Sequence, residues 1–241
     1  MIIFRKAILI IHGFAGGTYD EEGLDNYLEL DRKFDVFSFT LPGHDKTIIK
    51  NVTRNDWINK CNEMIDMLIN NGYKTIYVIG HSMGGVLACN LASKYKQIKK
   101  VVLLAPAFEY LVFDNSKLKV IESASLAPKL FKEYESDTII SRIIKIPIKT
   151  IIEFTKLVEE NRDCIKDIKV PVLIVHGDKD DIVNYKSSEN IKDKFGTSNV
   201  SLIKATNINH DIIRSSKVQI VNKIIKKFLK KKIVIKNNYE I

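Results

Sequence analysis

KTIYVIGHSMGGVLACNLA, residues 74–92, decides the fold. A short apolar strand candidate runs straight into a helix candidate, and the junction between them carries G-x-S-x-G at Gly80, Ser82 and Gly84. A serine at so sharp a strand-to-helix turn takes up a strained backbone that lifts its hydroxyl clear of the sheet, and glycines two residues to either side relieve the crowding. Gly85 lets the helix pack closely. The helix start also aims its positive dipole end at the place where the hydroxyl would react. The plain structural alternative is a glycine-rich turn with a capping serine, so the rest of the chain has to supply partners for the hydroxyl.

Outward from this junction, strand candidates at residues 7–11, 35–39, 75–79, 100–104, 171–176 and 199–203 are each rich in Ile, Val or Leu, the signature of strands buried on both faces. Helix candidates at 54–69, 83–95, 185–195 and 217–232 fall between or after them, as parallel β-α-β units require. The expected architecture is α/β, a doubly wound, mostly parallel sheet. The alternation fails between residues 107 and 169, where helical patterns broken by Pro128 and Pro147 replace strands. The expected division is therefore a core of residues 1–106 and 170–241 with a helical cap inserted at 107–169. Within the cap, IIKIPIKTIIEFTKLV (143–158) is more apolar than one face of an exposed helix needs, so it should lie over an apolar surface or line a pocket.

The composition fits one generous globular domain: 241 residues, 45% hydrophobic and 28% charged. Cys61, Cys89 and Cys164 are odd in number and far apart, which argues against both a disulfide framework and a zinc site. No metal or cofactor is expected. Apolar runs are of strand length and the N-terminal one ends in His-Gly, so neither a membrane span nor a cleaved leader is read, and the expected location is cytoplasmic. The net charge of +9 comes from 38 Lys and Arg against 29 Asp and Glu, and much of the excess lies in KIIKKFLKKKIVIK (223–236). There Ile224, Ile225, Phe228 and Leu229 keep helical spacing with lysines on the other face, the pattern of a solvated terminal helix. Nucleic acid is not expected as a partner, weak contact with an anionic membrane surface is compatible with the lysines, and the assembly state is not legible.

A serine hydroxyl is a poor nucleophile at neutral pH, so it needs a base, and the base needs an acid to hold its tautomer. Among His12, His44, His81, His176 and His210, only His210 lies beyond every strand candidate, in the loop before the last helix, and it fits the chain order serine, acid, histidine. His12, His44 and His176 fall at or after strand ends, where they brace loops, and His81 beside the serine should point elsewhere. The acid should come from PVLIVHGDKDDIV (171–183), where Asp178, Asp180 and Asp181 are all candidates that position alone does not separate. An oxyanion needs two backbone donors. The amide of Met83, just after the serine, is the first, and the glycine-rich HGFAGG after the first strand makes Phe14 the natural second. A phosphate-cradling loop is the alternative there, but neither GxxxxGK[ST] nor GxGxxG is present.

Taken together, HGFAGG (12–17), LPGHD (41–45), GHSMGG (80–85), HGDKDDIV (176–183) and NINHD (207–211) resemble the α/β-hydrolase superfamily over nearly the whole chain except the cap. Within it they look like the bacterial carboxylesterase and monoacylglycerol-lipase group, also described as serine aminopeptidase (S33)-like hydrolases. The group's G-x-x-D-x-x-V pattern maps onto Gly177, Asp180 and Val183, so the resemblance implies Asp180 as the acid, although Asp181 stands where the group often has proline. Asp45 replaces the last glycine of the group's PxxxGHG, which should reshape the pocket rim. The chain starts almost at once with the strand preceding HGFAGG, so the sheet is expected to lack the additional N-terminal hairpin of many members.

The implied function is a serine hydrolase with Ser82, His210 and Asp180 as triad and Phe14 and Met83 as oxyanion hole. The expected substrate is a small ester with an apolar, short to medium acyl chain, monoacylglycerol included, with Phe108, Tyr110, Leu111, Phe113 and Phe154 as candidate lining. A thioesterase, amidase or acyltransferase would use the same triad, a non-catalytic binding protein would keep only the fold, and a dehalogenase would carry aspartate where Ser82 stands.

Overall fold

A computed structural model describes residues 5–44, 51–109, 146–231 and 239–241. Seven strands form one sheet: β1 (Lys6–Ile11), β2 (Phe34–Ser38), β3 (Ile76–His81), β4 (Ile98–Leu104), β5 (Val172–Gly177), β6 (Val200–Ala205) and β7 (Tyr239–Glu240). Their order is β2-β1-β3-β4-β5-β6-β7, and every pairing is parallel. Among the described residues β2 is one edge of the sheet. The six expected strands are all present with ends displaced by one to a few residues, and β7 is a correction to that count. Its Tyr239 and Glu240 pair with Ile203 and Lys204 of β6, a contact too short to leave a pattern in sequence.

Six α-helices are described: α1 (Thr18–Glu29), α2 (Arg54–Asn70), α3 (Met83–Lys94), α4 (Ile148–Asn161), α5 (Tyr185–Lys192) and α6 (Val218–Lys230). The sheet separates two cores because successive strand residues point to opposite faces. Ala7, Leu9 and Ile11 of β1 join Trp57, Cys61 and Ile65 of α2, Val86 and Leu87 of α3, and Leu157 of α4 on one face. Ile8 and Ile10 join Leu24 and Leu28 of α1 with Val221, Ile225, Phe228 and Leu229 of α6 on the other. This is the doubly wound α/β sandwich that the alternation predicts.

Helix α1 was not expected, since TYDEEGLDNYLE offers only Leu24 and Leu28 as buried aliphatics, too few to show a period. The helix expected at 185–195 ends instead at Lys192. In the terminal helix the buried stripe is Val221, Ile225, Phe228 and Leu229, with Ile224 only partly buried. Two of its lysines are paired, Lys226 and Lys230 lying 3.7 and 2.9 Å from Asp31.

Of the proposed cap, α4 and a following 3-10 turn, Arg162–Asp167, are described. The candidate lining residues Tyr110, Leu111 and Phe113 lie outside the described residues. Helix α4 lies over an apolar surface, burying Phe154, Leu157 and Val158 while Ile148 stays exposed. Arg54 at the first turn of α2 clamps it, 2.8 Å from Glu153 and 2.7 Å from Glu160. Among the described residues no helix is long and apolar enough to cross a membrane.

Candidate active site

Ser82 is the N-cap of α3, with φ 52° and ψ −116°, a left-handed conformation that a non-glycine residue adopts only when its surroundings over-determine it. Three backbone bonds supply that constraint. The Ser82 amide donates to Leu104 at the end of β4 (2.8 Å), and its carbonyl accepts from Gly85 (2.9 Å) and Ala107 (3.2 Å). The flanking glycines are steric necessities: a Cβ at Gly80 would come within 2.1 Å of the Gly84 carbonyl, and one at Gly84 within 2.1 Å of the Ile11 carbonyl. The G-x-S-x-G spacing is thus what brings β1, β3 and α3 together at one point.

Asp180 and His210 arrive from the neighbouring strand ends. Asp178 orders the turn after β5, accepting from the Asn207 amide at 2.6 Å, and the Lys179 amide donates to Ile208 at 2.9 Å. The two loops are therefore stitched to each other. Gly177 makes the contact possible, since a Cβ there would meet the Ile208 carbonyl at 2.2 Å. Asp180 then turns inward while Asp181 stays exposed. Asp180 Oδ2 is 2.7 Å from His210 Nδ1, and Oδ1 accepts from the amides of Ile182 (2.9 Å) and Val183 (2.8 Å).

Burial alone would raise the Asp180 pKa, but hydrogen bonds from His176 and His210 outweigh it and hold the carboxyl well below its ordinary value. Burial also depresses His210, and the opposing pull of Asp180 only partly offsets it. The result is a neutral imidazole whose Nδ1–H is committed to a carboxylate, leaving Nε2 with the free lone pair.

The second histidine in this cluster was expected only to brace a loop. His176 Nε2 lies 3.1 Å from Asp180 Oδ2 and 2.8 Å from the Val183 carbonyl, while Nδ1 lies 2.6 Å from Ser188 Oγ. Both partners of Nε2 are acceptors, so Nε2 carries the proton and Nδ1 accepts from the Ser188 hydroxyl. His176 does brace the loop, and it also touches Asp180 directly. The four-residue separation of His176 and Asp180 within one strand-to-loop segment is the sequence signal that could have shown this.

His12 and His44 act as loop braces, as expected. His12 Nε2 accepts from the Leu41 amide (3.0 Å) and Nδ1 donates to Gly13 (2.8 Å), a neutral tautomer consistent with a pKa that burial and His44 push down to about 4. His44 Nδ1 lies 3.0 Å from the Pro42 carbonyl. This brace holds the loop of Phe14 against the serine, where a Cβ at Gly13 would lie 3.2 Å from Ser82 Cβ. Met83 is fully buried as the first residue of α3. Among the described residues neither the Phe14 nor the Met83 amide donates to a protein acceptor.

His81 directs its ring away from the reaction space as expected, with Nδ1 3.0 Å from Glu21 Oε1 and Nε2 3.1 Å from the His210 carbonyl. Its ring centroid is 5.1 Å from that of His210. Ser82 is 7% exposed, and among the described residues its hydroxyl makes no hydrogen bond to the His210 ring. Such bonds are commonly long or misaligned before substrate binds.

Aromatic rings gather around Phe14. Phe14 stacks on Phe154 of α4 with centroids 4.7 Å apart and meets Trp57 edge-on at 5.9 Å, with Trp57 Nε1 donating to Pro42 at 3.0 Å. Phe108, a candidate lining residue, is fully buried in the same core.

Sheet order, serine turn and stitched loops define an α/β-hydrolase. The profile of the serine aminopeptidase S33 family matches residues 4–217, and the chain belongs to that family. It is a hydrolase of the carboxylesterase and lipase type. A carboxylesterase of Bacillus subtilis is 23% identical over 94% of this chain and 93% of its own. Among solved structures, a monoacylglycerol lipase of Paleococcus ferrophilus superposes with a TM-score of 0.71 at 18% identity over 92% of this chain and 93% of its own. A soluble variant of the Saccharomyces cerevisiae monoglyceride lipase, in complex with a substrate analog, gives 0.69 at 21% over 94% and 86%.

Proposed function

We propose that the protein cleaves carboxylic esters of short to medium acyl chain, monoacylglycerols among them, through an acyl-enzyme on Ser82. The observation that carries this reading is the 2.7 Å contact between Asp180 Oδ2 and His210 Nδ1 at the sheet rim that also holds the strained serine. In the first half-reaction the Ser82 oxygen attacks the acyl carbon as His210 Nε2 takes the hydroxyl proton. The carbonyl π electrons move to oxygen, and the amides of Phe14 and Met83 stabilise that charge. Collapse breaks the ester C–O bond, and His210 returns the proton to the leaving alcohol. Water then attacks the acyl-enzyme with His210 again as base, which releases the acid and restores Ser82. Asp180 remains ionised throughout, orienting the ring and stabilising the imidazolium.

Residues 107–169 serve as a cap, with the cluster of Phe14, Trp57 and Phe154 favouring an apolar acyl group over a peptide. The Bacillus subtilis carboxylesterase relative points the same way. A series of p-nitrophenyl esters of increasing chain length tests the reading. Activity is expected on short and medium chains and should vanish in His210→Ala; an active His210→Ala, or an inert wild type across the series, would overturn it.

A further inference from the structure

A buried ion pair stands directly behind the proposed base. Glu21 on α1 is 1% exposed and His81, next to the serine, is 5% exposed. His81 Nδ1 faces a carboxylate oxygen at 3.0 Å and its Nε2 faces the main-chain carbonyl of His210 at 3.1 Å. Carbonyl and carboxylate oxygens both accept, so the ring satisfies them together only when both nitrogens carry protons. Burial opposes that charged form, yet the Glu21 charge and hydrogen bond, Asp211 and the His210 carbonyl more than offset it and hold the pKa at about 9. Around the His81 ring stand Glu21 from α1, His210 and Asp211 from the loop after β6, and His12 from the end of β1.

As a stabilising device the pair is poorly built. Glu21 Oε2 is buried with no hydrogen-bond partner among the described residues, so the desolvation of the carboxylate is met at one oxygen only. Its geometry answers a different need. Helix α1 follows the loop of Phe14 directly, and it is tied a second time to the segment after His210 through Asp20 Oδ1 and Arg214 Nη2, 2.6 Å apart.

We propose that Glu21 and His81 are positioning residues for the base: their ion pair fixes the His210 main-chain carbonyl and thereby the depth at which the imidazole stands between Asp180 and Ser82. This rests on the reading of His210 as general base. The same pair places a fixed positive charge beside the His210 ring and so opposes its protonation. Losing that charge should make His210 easier to protonate.

The test uses the full chain carrying Glu21→Gln, His81→Gln or His81→Ala, each compared with wild type and His210→Ala. Glu21→Gln is expected to leave KM within about twofold and lower kcat by about 10- to 100-fold. The acid limb of kcat/KM should move up by roughly half to one pH unit as the neighbouring charge is lost. His81→Gln, which keeps an N–H for the carbonyl, should retain more kcat than His81→Ala. Stability contributed by the pair should be complete below pH 6.5 and fade as pH rises through about 9, and it should be missing in Glu21→Gln.

A Glu21→Gln protein that melts earlier but keeps wild-type kcat and acid limb overturns the inference and leaves the Ser82–His210 reading intact. An active His210→Ala overturns that reading instead. Should the variants fail to fold, nitrogen NMR of the wild type decides: both His81 nitrogens protonated at pH 7.5 supports the inference, and a ring that titrates near pH 6.5 contradicts it.

Discussion

Phe14, whose amide we assign to the oxyanion, stacks its ring on Phe154 of α4 at a centroid distance of 4.7 Å. The loop that would hold the developing charge and the helix that would cover the acyl chain thus share one contact. Phe154→Ala should cost about 3 kcal/mol in urea unfolding, as other buried phenylalanine truncations do. It should also extend the longest p-nitrophenyl ester accepted; an unchanged chain-length profile would remove Phe154 from the pocket.

Asp180, the proposed acid, is held from both sides. His176 Nε2 reaches the same Asp180 oxygen as His210, 3.1 Å away. His176→Ala should lower kcat by about tenfold, with His176→Gln losing less because its amide can still donate to the carboxylate. Steady-state kinetics at pH 8 reads both, and equal losses would deny His176 an orienting role.

With His210 as the proposed base, its depressed pKa would set the acid limb. Its proton comes on at a pH below the ordinary 6.5, so kcat/KM should fall on the acid side with a midpoint below 6.5. Asp180→Asn should fold yet lose on the order of 10⁴ in kcat, because an amide donating to Nδ1 strands the proton on Nε2. Asp180 is depressed too, so the stability it contributes is present above its ordinary 3.8 and is lost as pH falls further. A midpoint above 6.5 would contradict this assignment.

Most of the frame was legible because each strand of the central sheet is buried on both faces and therefore spells itself as an apolar run. Ser82 and His210 stood out as candidates through glycine spacing and chain order, whereas Asp180 was separated from Asp178 and Asp181 only by the family resemblance, because all three sit in one loop. Helix α1 was not, and the reason is physical: it buries Asp20 and Glu21 beside Leu24 and Leu28, so its inner face reads as polar. Glu21 was hidden with it, since its partner lies sixty residues away at His81. His176 was read as a brace and not as a partner of the acid, because only the turn at 178–180 folds the carboxylate back onto the strand end.

Away from the site, Lys100 of β4 ends α6. Its ammonium donates to the carbonyls of Phe228 (2.6 Å), Leu229 (3.2 Å) and Lys231, the last-turn groups that have no partner within the helix. Lys100→Met should cost about 2 kcal/mol through the stranded carbonyls, seen as a lower urea midpoint at unchanged m, with ester turnover preserved. No change in midpoint would mean that water caps the helix equally well.

In the proposed mechanism Ser82 is the nucleophile whose oxygen takes up the acyl group. Treating the protein with a fluorophosphonate and mapping the adduct by peptide mass spectrometry tests it most directly. The account predicts a single adduct on the peptide containing Ser82, with none formed by Ser82→Ala and slow formation by His210→Ala. Labelling that persists in Ser82→Ala, or an adduct on any other residue, would contradict it.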